Sequence, residues 1–246
     1  MQRVVELAHR AALTDATVLL TGESGVGKGA VARFIHDQST RREYAFMQVN
    51  CAALPTSLVE SELFGVKKGA YTDAREDRPG LFVQANGGTL FLDEVAEMPL
   101  EAQPKLLHVL ETGRVRAVGS HTECRVNVRV LAAMNHSIED ALQQRLLRAD
   151  LYHRLNVIQL MIPPLRQRPE DIEALVDTFL RQAGEKFARP VLGIAAEALR
   201  WLRTYEWPGN VRELANTIER AVALTDHDTI LLEDLSLAAR YTGNNA

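Results

Sequence analysis

Apolar residues follow two different spacings along the chain. Short and almost uninterrupted apolar runs, bounded by glycine or polar residues, predict buried strands. We place five strands at residues 17–21, 46–50, 89–92, 128–133 and 157–162. Segments with helical spacing lie between them, and such alternation is typical of a parallel sheet covered by helices on both faces. The sequence therefore predicts an α/β fold.

The pattern changes after Pro163-Pro164 and Pro169, where only helical spacing remains. Three helices are predicted at residues 170–187, 195–205 and 210–225, and the turn Pro208-Gly209-Asn210 is expected to cap the last of them. We therefore predict two domains. Residues 1–165 form the α/β domain, and residues 166–246 form a smaller, all-helical domain.

Composition narrows the class of protein. The chain has 246 residues, a formal net charge of −4 and no basic tail for nucleic acid. No apolar run approaches the roughly 20 residues of a membrane span, and the N-terminus has no signal-peptide pattern. Cys51 and Cys124 are too isolated for a disulfide framework or a metal site, and we expect two reduced thiols. We expect a cytoplasmic protein without a membrane partner.

A glycine-rich loop follows the first predicted strand and ends in a lysine. Glycines let the backbone turn its N–H groups inward, the lysine reaches the outer phosphates, and the next helix adds its positive dipole end. This order predicts a nucleotide site, with ATP as the ligand. The loop residues are Gly22, Glu23, Ser24, Gly25, Val26, Gly27, Lys28 and Gly29. A glycine-rich turn with a solvated lysine is the alternative.

The residue after Lys28 departs from the usual pattern for such loops. A serine or threonine hydroxyl normally binds Mg²⁺ at this position, and here the residue is Gly29. Another group must therefore hold the metal.

Two acids, Asp93 and Glu94, end the predicted strand at 89–92. Ligands of open α/β sheets bind outside the carboxyl ends of the strands, so the acid pair and the glycine loop should converge. Asp93 is suited to hold Mg²⁺, directly or through water, and Glu94 is suited to orient and deprotonate the attacking water. The alternative is that the pair only caps a helix N-terminus.

Nine strings follow one another along the chain: GESGVGKG, VNCAALP, ESELFG, KKGAYTDA, GGTLFLDE, RVLAAMN, LRADLYHRLNV, PPLRQRPEDI and WPGNVREL. In these strings and their order the chain closely resembles the AAA+ central domain of bacterial sigma-54-dependent transcription activators, the enhancer-binding proteins. The resemblance runs nearly end to end. It implies an AAA+ P-loop NTPase fold, a five-stranded parallel sheet between helices followed by a small helical lid.

The resemblance also implies an activity. Members of this family hydrolyse ATP with Mg²⁺ in a ring, usually a hexamer, whose active sites span subunit interfaces. The motion remodels RNA polymerase holoenzyme carrying sigma-54, so that promoter DNA opens.

Two asparagines acquire roles from the resemblance. Asn50 matches the residue that holds the catalytic glutamate, here Glu94, in an idle pose until the nucleotide state changes. Asn135 matches the sensor that contacts the γ-phosphate or the attacking water, although the family commonly has threonine where this chain has Met134. A turn-forming asparagine is the alternative at position 135.

Three arginines are assigned in the same way. Arg148 and Arg154 match the two that the family projects into the neighbouring subunit's site. Because they are six residues apart they cannot share one helix face, so one could be an ordinary surface arginine. Arg212 matches the second sensor, which reports the nucleotide to the lid, and an exposed helix arginine is its alternative.

The loop Gly69-Ala70-Tyr71-Thr72-Asp73-Ala74 matches the family sequence GAFTGA, whose aromatic ring and threonine contact sigma-54. Tyr71 and Thr72 keep these groups, but Asp73 replaces a glycine. The substitution removes backbone freedom and adds a negative charge. Gly29 is a second departure, because most members have glutamate there.

Three hypotheses follow from these observations. The chain is an ATP-driven sigma-54 activator core, or an AAA+ ATPase regulator uncoupled from sigma-54 because of Asp73, or a nucleotide-binding switch with little hydrolysis because of Gly29. Enhancer DNA would be bound only through a domain outside these residues. The sequence leaves open whether the chain is an excised core or a shortened natural member.

Overall fold

A computed structural model describes residues 1–70, 76–189 and 193–235. The chain divides into two compact units. The first, called here the sheet unit, comprises Gln2–Gly22 and Lys28–Ile162. The second, called the helical unit, comprises Met1, Glu23–Gly27 and Pro163–Ala246. The division therefore assigns the middle of the glycine loop to the helical unit.

A five-stranded parallel sheet forms the centre of the sheet unit, as predicted. Its spatial order is β2-β3-β4-β1-β5. The strands are β1 (Val18–Thr21), β2 (Phe46–Asn50), β3 (Thr89–Asp93), β4 (Arg129–Met134) and β5 (Ile158–Met161). The predicted ends differ from these by one residue at most.

The inner strands are long apolar runs because both of their faces are covered. Every residue of β1 and β4 is buried, as are the first four residues of β3. At the sheet edge, β5 alternates buried and exposed residues, and Met161 there is 69% exposed. The burial pattern therefore differs between the inner strands and the edge strand β5, although all five strands were placed to within one residue.

Helices of the sheet unit cover the sheet and connect its strands. They are α1 (Gln2–Ala12), α2 (Lys28–Asp37), α3 (Thr56–Phe64), α4 (Leu81–Gln84), α5 (Gln103–Thr112), α6 (Ile138–Gln143) and α7 (Ala149–Leu155). Two 3-10 turns, Cys51–Ala53 and Val95–Glu97, directly follow β2 and the end of β3. Two short antiparallel pairs also occur: Gly65–Val66 with Arg78–Pro79, and Arg114–Val115 with Cys124–Arg125.

The helical unit is built around its own apolar cluster. Its helices are α8 (Ile172–Phe187), α9 (Ala196–Thr204) and α10 (Asn210–Leu224), preceded by 3-10 turns at Leu165–Gln167 and Pro169–Asp171. The three predicted helices are confirmed. Trp207 is 1% exposed at the centre of the cluster, and its indole N–H donates to Leu202 O.

One feature of the helical unit differs from the expectation of helices alone. Gly193–Ile194 pairs in parallel with Thr229–Ile230. Two residues are too few for a period-two pattern to be recognised in the sequence.

Within the three described ranges, no helix is long and apolar enough to cross a membrane. Cys51 and Cys124 are both free thiols, the first buried and the second exposed.

Candidate active site

The register of the sheet brings the predicted site residues to one edge. Asn50 pairs with Asp93, and Thr21 pairs with Met134. Residues that directly follow these strands, such as Gly22 and Asn135, therefore leave the sheet at the same carboxyl edge. The sequence predicted that the glycine loop and the acid pair would converge. A contact between Lys28, which ends the loop, and Glu94 confirms this prediction.

Lys28 is the first residue of α2, and it is only 6% exposed. Its Nζ donates a hydrogen bond to Gly22 O at 2.9 Å and lies 3.9 Å from Glu94 Oε1. Burial of an ammonium group is costly unless the group is paired and hydrogen-bonded. The alternative of a solvated lysine is therefore wrong, and the loop holds Lys28 at the acid pair.

Glu94 has a strained backbone and a poorly solvated carboxylate. Its φ and ψ are 53° and 51°, in the left-handed region that residues other than glycine seldom adopt. Burial raises the pKa of Glu94, and the nearby Lys28 ammonium opposes part of that rise. Glu94 Oε2 is buried, and no atom of the described residues forms a hydrogen bond with it. Such an oxygen is available to accept a proton or a hydrogen bond from a ligand.

The helix-cap alternative for the acid pair fails at Glu94. Glu94 occupies the position before the 3-10 turn Val95–Glu97, but its side chain makes no capping hydrogen bond. Asp93 Oδ1 accepts the backbone N–H of Glu94 at 3.1 Å, which fixes the direction of the chain between the two acids.

Asn50 and Asn135 both lie at strand ends. Asn50 Oδ1 accepts the N–H groups of Ala52 and Ala53, so its side chain caps the following 3-10 turn. Asn135 is exposed directly after β4. Its neighbour His136 places Nε2 2.9 Å from Glu97 Oε1, which links the exit of β4 to the turn that follows Glu94.

The glycines of the loop are required by its backbone. The φ values of Gly22, Gly25 and Gly27 are 147°, 78° and 103°, a region open to glycine and unfavourable for other residues. Within the helical unit, a Cβ on Gly25 would lie 2.4 Å from Gly209 O. Gly25 therefore permits an approach that no larger residue would allow.

Residues 23–26 of the loop are bound by side chains and backbone of the helical unit. Arg166 forms two hydrogen bonds with the Glu23 carboxylate, at 2.6 and 2.9 Å. Arg212, the predicted second sensor, donates to Ser24 Oγ at 3.1 Å and, through its backbone N–H, to Gly25 O at 3.2 Å. Arg212 is exposed on the first turn of α10, so both the sensor role and the exposed helix arginine stay predictions.

Two further residues bind the loop, and neither they nor Arg166 were predicted from the sequence as site residues. The buried Asn210 donates to Glu23 Oε2 and Ser24 O, and Arg168 donates to Val26 O at 2.7 Å. The strings PPLRQRPEDI and WPGNVREL contain all three residues. Nothing in the local pattern indicates which of their polar residues turn toward the loop.

Arg148 and Arg154 lie on the surface of the sheet unit. Arg148 precedes α7, and its guanidinium forms two hydrogen bonds with Asp150, at 3.1 and 2.7 Å. Arg154 lies near the end of α7 and donates to Leu110 O at 2.9 Å. Neither arginine contacts Asp93 or Glu94 in the hydrogen bonds and ion pairs of the described residues.

The predicted partner loop is described only at its start. Gly69 has φ 81°, and the Ala70 N–H donates to Lys67 O. The other residues of this prediction, Tyr71, Thr72, Asp73 and Ala74, lie outside the described residues. The base of the loop is closed by the Gly65–Val66 and Arg78–Pro79 pair and by Asp77, which accepts the Lys68 N–H at 2.8 Å.

The donor set for a metal is small. In the described part of the chain, no group of three or more histidine, cysteine, aspartate or glutamate residues is placed to hold a metal ion. Asp93 therefore offers a single carboxylate at the strand end. Mg²⁺ is commonly held in this way, by one or two carboxylates together with substrate phosphates and water.

Comparisons with known proteins agree with this geometry. The family model of the sigma-54 interaction domain matches residues 1–161, and that of an AAA+ ATPase lid domain matches residues 166–246. The transcriptional regulatory protein XylR of Pseudomonas putida is 48% identical over 235 residues, which cover 95% of this chain and 42% of XylR.

Solved structures give the same result. The crystal structure of NtrX from Brucella abortus with ADP has a TM-score of 0.87 and 35% identity, covering 95% of this chain and 52% of NtrX. NtrX with ATP has a TM-score of 0.85 and 36% identity, covering 96% of this chain and 54% of NtrX. The chain therefore spans about half the length of the relatives it matches.

Proposed function

Because this chain belongs to the sigma-54 interaction domain family, we propose that it is the ATP-hydrolysing AAA+ core of a sigma-54-dependent transcriptional activator. In this proposal residues 1–165 form the α/β nucleotide-binding domain and residues 166–246 form the lid. ATP hydrolysis would drive remodelling of RNA polymerase carrying sigma-54, so that promoter DNA opens. Cytoplasmic location remains a prediction.

One observation carries the proposal of hydrolysis. Glu94 presents a buried oxygen that has no hydrogen-bond partner in the described part of the chain, next to the buried ammonium of Lys28. A general base needs a pKa closer to neutrality than that of a solvated carboxylate, and burial shifts the pKa of Glu94 in that direction. We infer that Glu94 orients the attacking water and accepts its proton.

The remaining residues at the strand ends support binding and positioning. The backbone N–H groups of residues 22–29 and the Lys28 ammonium would hold the phosphates of ATP. Asp93 would hold Mg²⁺ through its carboxylate, and the bound ion would offset phosphate charge. Gly29 supplies no hydroxyl, so Asp93 is the side chain that we assign to the metal. Asn135 would contact the γ-phosphate or the attacking water.

Asn50 is proposed to regulate Glu94. In the conformation described above it caps the turn Cys51–Ala53, and it lies beside Asp93 in the sheet register. A hydrogen bond donated by Asn50 Nδ2 to the Glu94 carboxylate, made in one nucleotide state and broken in another, would move Glu94 between idle and active poses. The second sensor role of Arg212 is supported by its bonds to Ser24 and Gly25.

Self-association into a ring, which we propose to be a hexamer, completes the proposed site. Arg148 and Arg154 would be delivered to a neighbouring subunit, where a guanidinium stabilises charge on the transferred phosphoryl group. The loop Gly69–Ala74 would contact sigma-54. Enhancer DNA would be bound only by a domain outside these residues.

The proposal is tested with sigma-54 RNA polymerase and a promoter in the presence of ATP and Mg²⁺. Promoter opening by the native chain, together with Mg²⁺-dependent phosphate release, supports it. A Lys28→Ala variant serves as the control that should lose both. Phosphate release without promoter opening would instead favour the second candidate, an AAA+ regulator uncoupled from sigma-54, for which Asp73 is the motivating residue.

A further inference from the structure

Glu23 places a carboxylate inside a loop that is proposed to bind a polyanion. An uncompensated negative charge at this position would oppose the binding of a nucleoside triphosphate, because like charges repel over several ångströms. The inference that follows rests on the proposed nucleotide site.

The structure compensates the Glu23 charge from two directions. Arg166 binds both carboxylate oxygens in the bidentate geometry that makes an arginine–carboxylate pair strong and directional. Asn210 adds a third hydrogen bond, from Nδ2 to Oε2 at 3.0 Å. These hydrogen bonds lower the pKa of Glu23 to about 2, and the bonding to Arg166 has the largest effect. Glu23 is therefore ionised and neutralised by its partners at neutral pH.

Asn210 is built into this arrangement. It is fully buried and has φ 53°, a left-handed conformation that asparagine tolerates better than most residues. Its Oδ1 accepts the Leu165 N–H at 2.8 Å, while its Nδ2 donates to Glu23 and to Ser24 O. One buried amide thus joins the loop to the 3-10 turn that carries Arg166.

Three successive carbonyl groups of the loop point toward the helical segments of the same unit. Ser24 O, Gly25 O and Val26 O accept hydrogen bonds from Asn210, Arg212 and Arg168. The described residues contain no cis peptide bond, and in a trans peptide the N–H points opposite to the preceding C=O. The N–H groups of residues 25–27 are therefore turned away from these partners, as a phosphate-binding loop requires.

We propose that Arg166 and Asn210 are positioning residues for a nucleoside triphosphate. Arg166 neutralises the Glu23 charge, and Asn210 binds the same carboxylate and a loop carbonyl so that the N–H groups of the loop face the phosphates. The Arg166 and Glu23 side chains are 38% and 43% exposed, so their pair contributes little to fold stability. Its effect should appear in ligand affinity.

The experiment compares Arg166→Met, Glu23→Gln and the double variant in the 246-residue chain. Affinity is measured with fluorescent, non-hydrolysable ATP and ADP analogues at fixed Mg²⁺ and at two salt concentrations. Arg203→Met is the matched control, because Arg203 forms an exposed ion pair with Glu173 in the same unit. Melting temperatures are recorded for every variant.

We expect Arg166→Met to weaken binding of the ATP analogue by about 3- to 30-fold, the range of coupling within one polar network. The loss should be larger for the ATP than for the ADP analogue and smaller at high salt. The double variant should recover most of the affinity, since no charge then remains to be neutralised. Arg203→Met should change neither affinity, and all four variants should melt close to the native chain.

A double variant as weak as Arg166→Met, or an Arg166→Met variant with native affinity, would overturn the inference. A second readout uses hydrogen exchange without nucleotide: Asn210→Ala should speed exchange of the residue 25–27 amides, and unchanged exchange would count against its role. Analogue binding without turnover in the native chain would remove the proposed ATPase activity and leave this inference standing. Absence of analogue binding by the native chain would overturn both.

Discussion

The Lys28 ammonium lies 3.9 Å from Glu94 Oε1, and both side chains are largely buried, at 6% and 14% exposure. An opposite charge at this distance lowers a carboxyl pKa, whereas burial raises it. Burial has the larger effect here, and the pKa of Glu94 is raised. Lys28 therefore holds Glu94 in place without removing its basicity, which is the balance that a general base and a phosphate-binding lysine both need.

Glu94→Gln should retain nucleotide binding and lose turnover. The amide keeps the size of the side chain and cannot accept a proton from water, so we expect a loss of at least about 10²-fold in phosphate release. Binding of a fluorescent ATP analogue should be unchanged or tighter. Single-turnover hydrolysis and equilibrium binding on the same preparation measure the two effects, and residual turnover above a tenth of native would contradict the role of Glu94.

The same variant should be more stable than the native chain at neutral pH. Because the folded pKa of Glu94 is raised above its ordinary value of 4.5, its protonated form is favoured by folding. That contribution is complete below the unfolded pKa and is lost as pH rises through the folded pKa. Melting temperatures from pH 5 to pH 8 should show the gain of Glu94→Gln growing with pH by about 2 °C or more. A stability gain of Glu94→Gln that shrinks as pH rises would contradict the conclusion that burial raises the pKa of Glu94.

Mixing two inactive variants tests whether Arg148 acts across a subunit interface. Glu94→Gln supplies the arginine without the base, and Arg148→Ala supplies the base without the arginine. Each alone should lose at least about 10²-fold in turnover, and a mixture should recover activity at interfaces that combine both native residues. The same experiment applies to Arg154.

Lys28→Ala mixed with Glu94→Gln is the matched control for this experiment. Each change disables the nucleotide site of the subunit that carries it. This mixture should therefore stay inactive. No recovery with either arginine variant would place the arginines outside the active site, or would leave them acting within their own subunit.

Gly29 can accept a side chain. A Cβ there would lie 3.8 Å from Gln48 Nε2 and Phe91, an ordinary contact, and glycine within a helix costs about 0.5–1 kcal/mol relative to alanine. Both Gly29→Ala and Gly29→Ser should therefore raise the melting temperature. Only Gly29→Ser should lower the Mg²⁺ concentration for half-maximal turnover, because it adds a hydroxyl. Equal Mg²⁺ dependence of the two variants would show that the missing hydroxyl does not limit metal binding.

Short-range patterns predicted the sheet and the acid pair, because apolar runs, glycines and strand-end acids are local signals. Because both of their faces are covered, β1 and β4 are continuous apolar runs, and each of the five strands was placed to within one residue. The partners of Glu23 could not be found in this way. Arg166 and Asn210 lie 143 and 187 positions away in the sequence, and only the folded chain brings them to the loop.

Backbone geometry was equally hidden from the sequence. From the sequence alone, an Asp-Glu pair after a strand could be a helix cap. The left-handed backbone conformation that Glu94 adopts is visible only in the structure. The capping role of the Asn50 side chain depends on the 3-10 turn Cys51–Ala53, which has no apolar period to reveal it. Strand-end polar residues could be placed at one edge, but the hydrogen bonds of each could not.

Asp73 is the residue that most directly challenges the proposed output. Measuring sigma-54 binding to the native chain and to Asp73→Gly, with ADP and aluminium fluoride present as a transition-state mimic, tests whether this chain is a sigma-54 activator core. We predict a stable complex with the native chain that depends on the mimic and is lost in Lys28→Ala. Binding by Asp73→Gly alone, or by neither protein despite ATP hydrolysis, would contradict a sigma-54 activator core and favour an ATPase with another output.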